Sequence, residues 1–302
     1  MSLHIDLNHL GELANKLKRL DLRVVDQQSI EDEVRRFVNA SAGLIVGNGR
    51  SHYQLAYRAQ DCEKTPDGFS KVRRMLYPPN GSNGPGRAHY SGSKVLYASW
   101  NRETALQEIR AKAGDIVQLI TVRSWEGAEV PYYVIGEYQK FYMSGRLTYD
   151  SLRKLYVEQR ATNRETFLRT VFVDAVMAEF FRMPVERDDN HNYKVTAAFT
   201  KLFTSTTGIL LFPSVASAAA MNLAISANVF DASFEVVDTE VFRVRACYGY
   251  AMFDLEPLHY SSLVTKDEHF DWSANKRRNF VNNEMGGAME TQYVPGWRVP
   301  PA

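Results

Sequence analysis

The chain has 302 residues, 45% of them hydrophobic and 24% charged, a balance that suits a water-soluble globular protein of one large or two ordinary domains. Lys and Arg number 36 against 35 Asp and Glu, so the formal charge of +1 provides no global field to draw in nucleic acid. Two cysteines, Cys62 and Cys247, match no metal-ligand spacing, and a reducing, cytoplasmic setting is expected.

In chain order, the first twenty residues interleave charges with apolar positions and hold no hydrophobic run of the signal-peptide kind. Leu7, Leu10, Leu13, Leu17 and Leu20 recur at helical spacing. A second helix is expected over DQQSIEDEVRRFVNA, where Ser29 followed by Asp32 is a capping-box-like start. YQLAYRA predicts a strand, YPPNGSNGPG a loop and KVLYAS another strand. NRETALQEIRAKAG predicts a helix with Asn101 as its cap, Glu103 at its positive end and Gly114 as its stop. DIVQLITV is a near-continuous apolar run and predicts a central strand.

Two helices are expected within residues 149–184 and a third over YKVTAAFTKLF. GILLFPS predicts a buried strand entering a small-residue loop, and FEVVDTEVFRVRACYGYAMFDL predicts two late strands. From Leu202 to Phe230 no residue is charged, long enough for a bilayer span. Its Ser, Thr, Pro, Gly and Asn groups need partners that lipid does not supply, so no membrane segment is expected. NKRRN near the C-terminus predicts a solvated basic face.

Several short motifs fail. GNGRSH half resembles a dinucleotide fingerprint, but His52 stands at the third glycine position. The glycine-rich loop lacks the Lys-Ser/Thr pair of a phosphate-binding loop. In RDDNHN the adjacent Asp188 and Asp189 point apart in any regular element, so a polar loop is expected rather than a metal site.

The stretch GRAHYSGSKVLYASWNRETALQE remains. It delivers Arg87 from a loop, Tyr97 from a strand and Glu108 from a helix within 22 residues of one another. Glu108 lies beside Ala105 at the edge of the apolar helix face, where a carboxylate can be half-buried. This stretch resembles the central signature of the RES domain, named for its Arg, Glu and Ser. GILLFPSVASAAAMNLAI resembles the family's second half, and YRA at Tyr57–Ala59 resembles its opening strand. The pieces occur in order from roughly Tyr53 to Leu255, with Ala-rich sequence after Ser214 where glycines are common and AHYSG in the turn after Arg87.

The resemblance implies an α+β fold, an ADP-ribosyltransferase-like mixed sheet flanked by helices. An N-terminal helical extension over 1–52, a RES-like catalytic domain over 53–255 with a helical insertion about 140–186, and a C-terminal extension over 256–302 packed on the domain are expected. It also implies cleavage of NAD to nicotinamide and ADP-ribose or its 1″-phosphate, by a bacterial toxin that depletes NAD. ADP-ribosylation of a protein and an inactive binding scaffold are the alternatives. Arg58 and Arg87 would hold the phosphates, Tyr97 would stack on the nicotinamide and Asn222 would join the binding set. Glu108 would stabilise positive charge on the ribose, and Ser214 would orient Glu108 or the nicotinamide amide. Plain structural roles stay open: an ion pair for Arg58, core filling for Tyr97, a turn for Ser214. No metal and no cofactor beyond NAD as substrate are expected. A cognate antitoxin covering the site and a homo-oligomer are the protein partners implied.

Overall fold

The computed structural model describes residues 7–41, 47–50, 55–62, 65–78, 80–82, 84–125, 127–147, 152–185, 190–217, 220–272 and 296–300. Its elements begin with α1 (Asn8–Lys18), α2 (Gln27–Asn39), β1 (Gly47–Arg50), β2 (Leu55–Asp61), β3 (Val95–Ser99), α3 (Arg102–Glu108) and β4 (Ile116–Ser124). They continue with β5 (Glu129–Val134), α4 (Glu137–Ser144), α5 (Arg153–Thr162), α6 (Arg164–Arg182), α7 (Lys194–Thr206) and β6 (Ile209–Pro213). The last are β7 (Met221–Ser226), α8 (Ala227–Ser233), β8 (Phe234–Gly249) and β9 (Met252–Ser261). The fold is α+β, with mixed strand pairing and flanking helices, as the resemblance implies.

The chain forms two compact units, each drawn from three segments. The first takes residues Met1–Arg50, Tyr77–Tyr97 and Glu129–Val229. Its strands run in the order β1, β5, β6, β7, β3, with β5 and β6 parallel and β6 and β7 antiparallel. Its core is built mainly by helices. α6 buries Phe167, Val173, Met177 and Phe181, and α7 adds Val195, Ala198 and Phe199. The amphipathic helices α1 and α2 press Leu10, Leu17, Ile30, Val34 and Phe37 into the same core. Phe37 meets the Phe199 ring edge-on at 6.5 Å, and Lys18 pairs with Glu179 at 2.6 Å. The two N-terminal helices are therefore part of this unit's interior.

The second unit takes Ser51–Leu76, Ala98–Ala128 and Phe230–Ala302. Its strands run β3, β2, β4, β8, β9, all antiparallel to their neighbours. β4 is internal to this order and nearly all buried, as its apolar run predicted. On one face, α3 packs Ala105 and Leu106 against Ala59, Leu119 and Phe242.

Two local expectations are corrected. α2 is capped by Asp26, whose side chain accepts from the Ser29 N–H at 2.9 Å, and not by a Ser29–Asp32 box. α3 stops at Glu108 and not at Gly114, because Arg110 turns into the left-handed region at φ 56°. As the sequence predicted, the buried strand β6 enters a small-residue loop after Pro213, and β7 follows from Met221. Asp188, Asp189 and the NKRRN cluster lie outside the described residues. Among the described residues, no helix is long and apolar enough to cross a membrane.

Candidate functional site

Arg87 owes its place to a tight bridge. The Gly86 N–H donates to His89 O at 2.8 Å, the His89 N–H donates back at 3.4 Å, and a Cβ on Gly86 would run into the His89 imidazole. Ser82 ties the flanks of the loop together through backbone bonds with Gly92 and Ser93, and Ala88 is fully buried. Arg87 is thus presented from a fixed backbone. Its Nη1 donates to the Phe181 carbonyl at 2.7 Å, and its guanidinium lies 5.4 Å from the Tyr193 ring centroid. Phe181 is in the last turn of α6, where carbonyls lack intrahelical partners and the helix end favours a cation. Among the described residues no carboxylate pairs with Arg87.

Tyr97 stands half-buried on β3. Its hydroxyl accepts from Asn222 Nδ2 at 2.8 Å, and its ring meets Phe212 edge-on at 5.7 Å. Phe212 and Asn222 face each other in the β6–β7 register, and Phe212 also touches the Phe181 ring at 4.8 Å. Arg87, Phe181, Phe212, Tyr97 and Asn222 therefore form one connected group inside the first unit. Asn222 is fully buried, which only a well-bonded amide tolerates.

Ser214 follows the last residue of β6. It is buried, and its Oγ accepts from the N–H groups of Ala216 at 3.1 Å and Ser217 at 3.2 Å. Its own N–H donates to Ala220 O at 2.9 Å, closing the turn before β7. A serine in this position is a local turn former and sits at the strand end that carries Phe212 and Asn222.

Arg58 and Glu108 belong to the second unit. Side chains alternate along β2, and its Tyr57 and Ala59 face the α3 cluster, so Arg58 leaves the strand on the opposite face. Burial pushes the Arg58 guanidinium down to about 10, although the residue as a whole is only half-buried. Glu108 is the last residue of α3, half-buried, on a helix whose start Asn101 caps by accepting from the Thr104 N–H at 2.8 Å. β2 thus separates Arg58 from the helix that carries Glu108.

Phe181, Phe212 and Tyr193 were not singled out in the sequence. Phe181 and Tyr193 sit in segments read for their helical pattern, Phe212 in a stretch read as a strand and as part of the family resemblance, and no spacing marks their partners. Among the described residues no cluster of three or more His, Cys, Asp or Glu could hold a metal.

The first unit defines a class: an α+β protein with an arginine held by a carbonyl and an aromatic face, connected to a Tyr–Asn pair whose asparagine is buried. The RES domain model matches residues 55–245, and the chain belongs to the RES-domain family, an NAD-related, toxin-like family. Comparison with curated proteins and with solved structures gave no match.

Proposed function

We propose that the protein cleaves NAD at the bond between nicotinamide and ribose, in the manner of a toxin that depletes NAD. The observation that carries this reading is Arg87, a fixed cation with no carboxylate partner among the described residues, in a group that also holds Tyr97 and Asn222. A dinucleotide supplies what such a group lacks. Its pyrophosphate gives oxygens for the guanidinium fork, and its bases give rings for an aromatic surface.

In the reaction, the C1′–N bond breaks and its electron pair returns to the pyridinium nitrogen, releasing neutral nicotinamide. The ribose carbon becomes oxocarbenium-like and is captured by an oxygen of water or phosphate; with water, a proton leaves to solvent. Glu108 carries the carboxylate role, lowering the energy of that developing charge. Arg87 serves the phosphates, Tyr97 the nicotinamide ring, and Asn222 and Ser214 the placement of polar groups around it; Arg58, on the face of β2 away from α3, is left out of this set. Nicotinamide leaves readily because cleavage discharges its ring, so a carboxylate and oriented contacts suffice without a Lewis acid. An antitoxin protein that covers the NAD site is the partner that family membership suggests.

The test is incubation with NAD, with and without phosphate, and identification of products by mass. Free nicotinamide with ADP-ribose supports hydrolysis, and ADP-ribose-1″-phosphate supports phosphorolysis. Label from NAD appearing on protein would replace this reading by transfer. NAD left intact would reduce the protein to a binding scaffold.

A further inference from the structure

We infer that Tyr193 is a positioning residue, an uncharged clamp that aligns the Arg87 guanidinium for a phosphate ligand; this rests on the proposed role of Arg87. Tyr193 closes a 3-10 turn, Asn190–Tyr193, and leads into α7. Its carbonyl accepts from Thr196 Oγ1 at 3.1 Å, and among the described residues its ring engages the Arg87 side chain. It is half-buried and stands outside the core cluster, so core filling does not account for it.

The choice of an aromatic partner has a chemical consequence. An arginine on a loop must be held still before a ligand arrives, or binding pays the ordering cost itself. A carboxylate would hold it but would also neutralise it. An aromatic face attracts the cation through its quadrupole and leaves the charge in place. The Phe181 carbonyl takes one N–H and the Tyr193 ring covers one face, which leaves guanidinium edges for two phosphate oxygens. Lys201, in the same unit, shows the contrast: it lies over the Tyr90 ring at 5.6 Å and is also paired with Glu31 at 2.6 Å. One cation is clamped and neutralised; the other is clamped with no carboxylate partner among the described residues.

The experiment measures inorganic pyrophosphate binding by calorimetry for the whole protein and for Tyr193→Phe, Tyr193→Leu and Tyr193→Gln, each alone and with Arg87→Ala. Tyr193→Phe keeps the ring and is expected to bind within about twofold of the parent, while Leu and Gln weaken binding by roughly tenfold. In the Arg87→Ala background the Tyr193 changes are expected to add nothing. With NAD, the KM should rise in Tyr193→Leu while kcat holds, since a ground-state phosphate contact is being loosened. Parent-like pyrophosphate affinity in both Leu and Gln variants overturns the inference, as does an equal loss with Arg87 absent. Tyr193-dependent pyrophosphate binding without NAD cleavage would remove the NAD reading and keep the clamp; NAD cleavage with pyrophosphate affinity indifferent to Tyr193 would do the reverse.

Discussion

Glu108 and Asp174 are both carboxylates on helices, and their surroundings give them opposite work. Glu108 ends α3 half-buried, so Glu108→Gln is expected to leave the fold intact and lower kcat for NAD cleavage by about 10²–10³, the cost of losing one preorganised electrostatic group. Circular dichroism checks the first half and a nicotinamide-release assay the second; unchanged release removes Glu108 from the reaction. Asp174 is fully buried on α6 and caps a different helix, accepting from the Gly136 N–H at 2.9 Å, the Gln139 N–H at 3.1 Å and the Tyr133 hydroxyl at 3.0 Å. Burial raises it from 3.8 to about 6 against these three donors, and neighbouring Glu137 pushes the same way. Because the folded value lies above the unfolded one, its stabilising contribution is complete below pH 4 and is lost as pH rises through 6. The loss is on the order of 3 kcal/mol. Asp174→Asn is expected to remove that slope, so urea unfolding of parent and variant between pH 4 and 7.5 should show the parent alone losing stability through this window. Parallel curves would mean that Asp174 does not titrate there.

At the scale of elements, what the sequence made legible follows from periodicity. α1, α2 and α7 carry clear apolar stripes, α6 is long and buried around much of its circumference, and β4 is a plain buried run. α4, β5 and β7 went unread because each is short and bordered by residues that look like loop. β7 begins one residue after a run of alanines that gives no turn signal, and α4 depends on a cap from Asp174, which lies 38 residues away from Gly136. The end of α3 was misplaced because a left-handed Arg110 announces itself by no residue type, whereas Gly114 looked like a stop. The candidate site divides in the same way. Arg87, Tyr97, Glu108, Ser214 and Asn222 stand in motifs, but Tyr193 and Phe181 enter only through folded contacts. α2 offers a direct check of how far the N-terminal helices belong to the core. Phe37 is fully buried against Phe199, and Phe37→Ala is expected to cost about 3–5 kcal/mol in chemical denaturation. A cost below about 1 kcal/mol would make α1 and α2 a detachable cover.

For the molecule as a whole, the order of motifs was readable while the division of the chain was not. The family match over residues 55–245 runs through segments of both compact units, so neither unit corresponds to one continuous stretch of sequence. Residues 1–50 share a unit with 77–97 and 129–229, an arrangement that hydrophobic patterning cannot announce because a stripe does not name its partner. The Phe37–Phe199 contact sets a schedule for biosynthesis. When Phe37 of α2 leaves the ribosome, the ring it will pack against follows 162 residues behind, and at ~5–20 residues per second the wait lasts roughly 8–32 seconds. For that interval a nascent chain carries an uncovered greasy stripe, and a cell producing this protein must shield it until α7 emerges.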